Sequence, residues 1–102
     1  MSTEYITAIL ADRVLGWRVC PDRFIKTGRS WIPRSRFRPL VRIEDAVLLL
    51  DRGADSYTLS SVGGAFTAEV HVGDRIGRAS GTVKAKAITL AIVQALGIEA
   101  GQ

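Results

Sequence analysis

A cluster of basic residues is the feature of this sequence best suited to chemistry. Eight arginines and lysines lie between positions 18 and 42, accompanied by a single acidic residue, Asp22. This segment carries a charge of +7, whereas the whole chain carries +4. A guanidinium group binds phosphate through two parallel hydrogen bonds. The segment therefore predicts an acidic partner or a phosphate-bearing ligand.

The candidate ligand-binding residues combine positive charge with one aromatic ring, and they are Arg29, Trp31, Arg34, Arg36, Arg38 and Arg42. Two prolines and the lack of a sustained period predict an extended loop here. In an extended chain, alternate arginines point the same way, so Arg34, Arg36 and Arg38 could follow a phosphate backbone or cradle a nucleotide. Trp31 or Phe37 could then stack on a base.

The alternative interpretation of the same stretch is a solvated loop without a ligand. Its arginines would then be neutralised within the chain, and the acidic residues available are Asp12, Glu44, Asp45 and Asp51.

Two other features are weaker candidates. The junction from Gly77 to Lys84 places glycines and hydroxyls where a strand enters a helix, which suits anion binding. The Walker spacing is absent, however, and a capped helix start explains these residues equally well.

Cys20 and His71 lack the orienting partner and oxyanion site that nucleophilic catalysis needs. One cysteine and one histidine also fall short of a metal-ligand set. We therefore expect a non-enzyme without cofactor or metal.

The composition is typical of one small domain of 102 residues. The single cysteine cannot form an internal disulfide, which favours a reducing, cytoplasmic setting. We expect no signal peptide, because the N-terminus lacks a basic start followed by an apolar stretch. No apolar run approaches the roughly 20 residues of a membrane-spanning helix.

The apolar pattern predicts helices over Thr3–Leu15, from near Arg42 to Gly53, and from Ser80 or Thr82 to Gly97. It predicts a hairpin of two strands, Trp17–Cys20 and Arg23–Thr27, and later a meander of three strands with turns at Gly63 and Gly73. The order is α-β-β-α-β-β-β-α, with a further short strand considered at Ser30–Ile32. This order predicts an α+β fold in which three helices pack on one antiparallel sheet of four to five strands, as two layers or an α/β/α sandwich.

The strand that begins at Phe66 has one distinctly polar face. Thr67, Glu69 and His71 alternate with apolar residues, so they share a side of the sheet that is solvated or meets a partner.

Three stretches of the sequence form a recognisable set: Leu10-Ala11-Asp12-Arg13-Val14-Leu15-Gly16-Trp17, then Trp31-Ile32-Pro33 leading into Ile43-Glu44-Asp45-Ala46, and finally the closing segment from Ala85 to Gly97. Together they resemble the phage ABA sandwich domain, a family of small phage and prophage proteins. The resemblance implies helices on both faces of a central sheet. The family has no established activity, catalytic residues or cofactor to carry over. The arginine-rich loop and the polar face around Glu69 depart from a simple covered sandwich.

The function predicted from these observations is a phage-type, non-enzymatic binding or accessory protein that forms homo-oligomers. Its basic loop, Arg29 to Arg42, would contact an acidic partner or a phosphate-bearing ligand. The alternatives are a protein that sequesters a small signalling nucleotide and a weak nucleic-acid-binding protein.

Overall fold

The computed structural model describes residues 3–98, which form three α-helices, six strands and one short 3-10 helix. The elements in chain order are α1 (Thr3–Arg13), β1 (Arg18–Val19), β2 (Arg23–Thr27), β3 (Ser30–Pro33), the 3-10 helix (Arg34–Arg36), α2 (Ile43–Gly53), β4 (Ser56–Val62), β5 (Ala65–Val72), β6 (Arg75–Gly81) and α3 (Lys84–Ala95).

The strands form two antiparallel sheets of three strands each, in the orders β1-β2-β3 and β4-β5-β6. The single sheet of four to five strands predicted from the sequence is therefore wrong. The first hairpin and the later meander are confirmed, and the short strand considered near Ser30 exists and pairs with β2, where Ile32 lies opposite Phe24. The α+β class stands, with one strand more than predicted before α2.

The three predicted helices are present, with corrections at their ends. α1 stops at Arg13, two residues before the predicted Leu15, and Gly16 adopts a positive φ of 69° in the turn that follows. Neither Ser80 nor Thr82 caps α3, because the N-cap residue is Val83 and no side chain caps the helix start.

α3 packs on the second sheet and α2 packs on α3, in both cases through buried apolar faces. α2 buries Ala46, Leu49 and Leu50, which recur at the three- and four-residue spacing of one helix face. α3 is buried along most of its length and lies between α2 and the inner face of the sheet, where Ala68 and Val70 are fully buried. The layers are therefore sheet, α3 and α2.

α3 covers a single face of the second sheet. Glu69 lies opposite Thr58 on one side and Arg78 on the other, and neither neighbour is buried. This outer face is the polar face predicted from the sequence, and no helix of residues 3–98 packs against it. None of the helices in this part of the chain has the length and apolar character needed to cross a membrane.

Candidate functional site

Three aromatic rings fix the base of the candidate site. Phe24 of β2 and Phe37 are almost completely buried, with ring centroids 5.7 Å apart, and the centroid of Trp17 lies 5.1 Å from that of Phe37. Such edge-on contacts stabilise a core beyond the area they bury. Phe37 is only 1% exposed. The prediction that its ring offers a stacking surface to a base is therefore wrong.

The segment after Phe37 is tied to α2 and α3 by two hydrogen bonds. The backbone N–H of Arg38 donates to the Asp45 carboxylate over 2.8 Å, and the buried hydroxyl of Thr89 donates to the Pro39 carbonyl over 2.7 Å. Leu40 is also buried. This loop is thus held in place by polar contacts at the consecutive residues Arg38 and Pro39 and by the buried side chain of Leu40 that follows them.

A cavity of about 480 Å³ lies between this loop and the N-terminal half of α1. Its lining residues are Glu4, Thr7, Phe24, Arg34, Ser35, Phe37, Arg38, Leu40 and Val41. Two predicted site residues, Arg34 and Arg38, lie on this wall. The volume is within the range of about 300–1,000 Å³ typical of small-molecule sites.

Glu4 and Thr7 are lining residues that the sequence interpretation missed. They are three residues apart and therefore lie on one face of α1. Their spacing indicates that they share a face of the helix, but only the tertiary structure shows that this face of α1 lines the same cavity as Arg34 and Arg38.

Arg34 is partly buried and oriented by the protein itself. Its guanidinium donates to the Cys20 carbonyl over 3.3 Å and lies 5.4 Å from the centre of the Phe24 ring. The extended conformation predicted around Arg34 is wrong, because Arg34 to Arg36 form a turn of 3-10 helix. Arg34, Arg36 and Arg38 thus do not form the regular row of an extended chain.

Arg42 is already neutralised within the protein. Its guanidinium lies 3.2 Å from the Glu44 carboxylate and 3.9 Å from that of Asp45. The pKa of Glu44 lies below its ordinary value because its own backbone N–H donates to the carboxylate and, secondly, because Arg42 does so. For this one arginine the alternative interpretation, pairing with Glu44 and Asp45, is the observed one.

Arg29 and Trp31 lie away from the cavity. Arg29 occupies the turn between β2 and β3, at the opposite end of that hairpin from Arg34. Trp31 faces away from Phe24 on β3, and the Arg23 guanidinium lies 4.3 Å from the centre of its ring. Arg23 in turn pairs with Asp22 at 2.8 Å, and its hydrogen bond lowers the pKa of that carboxyl.

Three of the candidate arginines form no ion pair with an acidic residue between positions 3 and 98, namely Arg29, Arg36 and Arg38. Of these three, only Arg38 lines the cavity. The structure therefore brings Arg34 and Arg38 together at one site and leaves the other four candidates outside it.

The residues considered as a catalytic pair, Cys20 and His71, are positioned by different sheets. Cys20 follows β1 in the first sheet and His71 lies on β5 in the second sheet. Across the described residues, no group of three His, Cys, Asp or Glu side chains could hold a metal ion. The junction before α3 forms a smaller depression of about 210 Å³ that includes Ser80, Thr82 and Lys86.

This α+β fold, with its two three-stranded sheets, has a counterpart among solved structures. The chain is similar to a phage protein from Bacillus cereus ATCC 14579, with a TM-score of 0.74 over 98% of this chain and 92% of that one. At 18% identity the likeness establishes a shared fold. No protein-family model matches the chain, and no curated protein matches it in sequence.

Proposed function

We propose that this protein is a phage-type, non-enzymatic binding protein that holds a small phosphate-bearing ligand in the cavity between α1 and the loop after Phe37. The fold shared with a phage protein supports the description of this protein as phage-type. The observation that carries the ligand-binding part is the presence of two arginines, Arg34 and Arg38, on the wall of one cavity of ligand size. Membership of the phage ABA sandwich family belongs to the same proposal.

The two arginines offer different contributions to a ligand. Arg34 is already oriented by Cys20 and Phe24, so little conformational entropy is lost when it contacts an anion. Arg38 is exposed, and its backbone is fixed by Asp45 while its side chain has no carboxylate partner within residues 3–98. A phosphate group bound by both would receive charge-assisted hydrogen bonds from two directions.

Glu4 and Thr7 make the cavity selective for more than a bare anion. A carboxylate repels phosphate but accepts hydrogen bonds from hydroxyl or amino groups. A ligand with a phosphate at one end and such donors at the other, as in a nucleotide, satisfies both parts of the wall. This polarity favours the nucleotide-sequestering alternative over nucleic-acid binding, since the arginines do not form the continuous row that a phosphate backbone requires.

The test uses a panel of linear and cyclic nucleotides with inorganic phosphate as the minimal probe. A ligand present at 100 times its Kd stabilises the folded state by about 2.7 kcal/mol, which raises Tm measurably. Arg38→Ala should weaken binding at least tenfold, because it removes a hydrogen-bonded charge contact worth about 1.5–3 kcal/mol. Arg29→Ala is the matched control, since Arg29 is also an exposed arginine but lies outside the cavity.

Two results would contradict the proposal. One is the lack of any thermal shift across the whole panel. The other is binding that Arg29→Ala and Arg38→Ala weaken equally and that falls steeply with salt, because this pattern indicates diffuse binding of nucleic acid by the basic segment.

A further inference from the structure

The two edges of the second sheet are protected very differently. At the β6 edge, the backbone N–H of Arg78 donates to the side-chain amide oxygen of Gln94 on α3. The same strand carries Arg75 and Arg78, and charged edge residues discourage pairing with another strand. The β6 edge is therefore blocked by the protein's own helix and by charge.

The β4 edge has none of these protections. The strand reads Ser-Tyr-Thr-Leu-Ser-Ser-Val, without charge or proline, and it pairs with β5 in uninterrupted register from Ser56 to Val62. All seven of its residues are exposed. No strand within residues 3–98 pairs with its free side. An exposed, regular and uncharged edge of this length is a template for a further strand.

The apolar side chains of β4 also point to a partner on this edge. Tyr57 and Leu59 lie opposite Val70 and Ala68 and so share the inner face of the sheet. Yet Tyr57 is 46% and Leu59 is 37% exposed, because α3 packs over β5 and β6 and does not extend over β4. Tyr57 and Leu59 thus form a narrow, exposed apolar strip beside α3.

We infer that β4 pairs antiparallel with β4 of a second copy of this chain, which joins the two meanders into one six-stranded sheet. A two-fold axis at Thr58 places Tyr57 of each copy directly opposite Leu59 of the other. These two aromatic-aliphatic pairs lie on the same face of the joined sheet, beside both α3 helices. The uncharged strand favours a neutral partner, and a second β4 meets this requirement even though each chain carries a net charge of +4.

The assembly is closed. The second sheet of each copy has one bare edge and one blocked edge, so this pairing uses the same surface on both molecules, and the joined sheet cannot extend further beyond the two β6 strands. This inference does not depend on the proposed ligand, because the cavity is lined by α1, β2, the 3-10 helix and the loop after it, and not by β4.

The first test measures molar mass by light scattering over a wide range of protein concentration. The chain of 11.1 kDa should reach twice this mass as concentration rises. Leu59→Lys should shift the protein to the monomer, because the dimer would then place two lysine side chains, one from each copy, on the narrow apolar strip close to the two-fold axis. Ile76→Lys is the matched control, because Ile76 is an exposed apolar residue on the blocked strand β6. Circular dichroism should show both variants folded.

The second test locates the axis by disulfide formation in a Cys20→Ser background. Residues directly opposite each other in an antiparallel pair have Cα atoms about 4.5–5.5 Å apart, which a disulfide can span. Thr58→Cys should therefore crosslink two chains on mild oxidation. In the same register two copies of Val62 lie about 26 Å apart at roughly 3.3 Å per residue, so Val62→Cys should not crosslink.

The inference is overturned if the wild-type protein stays monomeric at the highest concentration, or if the two lysine variants dissociate equally. Crosslinking of Val62→Cys as fast as Thr58→Cys would also overturn it, because this result indicates random collision.

Discussion

The contact between Gly77 and α3 allows a sharp prediction about what holds the second sheet to its helix. A Cβ atom added at Gly77 would lie 1.9 Å from the Ala91 carbonyl oxygen and 2.5 Å from the Ala95 nitrogen. Ordinary van der Waals contact begins at 3.4 Å, so Gly77→Ala forces the helix and strand apart by about 1.5 Å. The obstructing atoms belong to the backbone of α3 and cannot move aside by a change of rotamer.

Separation on this scale disturbs the most buried helix of the protein. Overpacking typically costs about 1–3 kcal/mol. Because backbone is the obstacle, we expect Gly77→Ala to lower the free energy of unfolding by about 3 kcal/mol or more, and Tm by about 12–24 °C at 4–8 °C per kcal/mol. Denaturant unfolding should show a lower midpoint with an unchanged slope.

Gly81→Ala provides a matched control on the same strand. Nothing lies within 4 Å of a Cβ at Gly81, and neither glycine adopts a positive φ. The control should be neutral or stabilising by about 0.4–1 kcal/mol, because alanine restricts the unfolded chain. If the two variants differ by less than about 0.5 kcal/mol, close packing of α3 on β6 is not what stabilises this interface.

Two further predictions concern polar contacts around the candidate site. Thr89→Val keeps the shape of the side chain but leaves the Pro39 carbonyl buried without its donor, so urea unfolding should show a loss of about 1–3 kcal/mol, whereas the exposed Thr27→Val should change stability by less than about 0.5 kcal/mol. Equal effects of the two would contradict a structural role for this hydrogen bond. The pKa of Glu44, followed by NMR titration, should lie below 4.5 and rise in Arg42→Ala, although its own backbone N–H keeps it below the ordinary value. Because the folded-state pKa is the lower one, this carboxylate stabilises the fold above pH 4.5 and loses that contribution as the pH falls through its folded pKa; a pKa unchanged by Arg42→Ala would contradict the pairing.

The sequence predicted local structure well because local structure depends on neighbouring residues. The alternation of Phe66, Ala68 and Val70 and the glycine turns on either side identified the meander, and the spacing of Ala46 and Leu50 identified α2. The division into two sheets could not be predicted in this way. Periodicity shows that a strand exists, but it does not show which strand lies beside it.

The candidate site was predicted only in part for a related reason. Arg34 and Arg38 line one cavity, and the chain between them forms a 3-10 turn over Arg34 to Arg36; alternation of arginines gives no sign of such a turn. Glu4 joins them through the docking of α1, which is a tertiary contact. The sequence shows which segment carries the positive charge, but only the tertiary structure shows which of its arginines line the cavity.

The pairing of sequence neighbours in both sheets has a consequence for folding kinetics. Every strand pair joins adjacent strands in the chain, so each meander can form from local contacts with short loop closures. Proteins dominated by such contacts fold fast for their size. The hydrogen bond from Thr89 to Pro39, by contrast, spans 50 residues. We therefore expect the loop beside the cavity to acquire protection from hydrogen exchange after the two meanders during refolding.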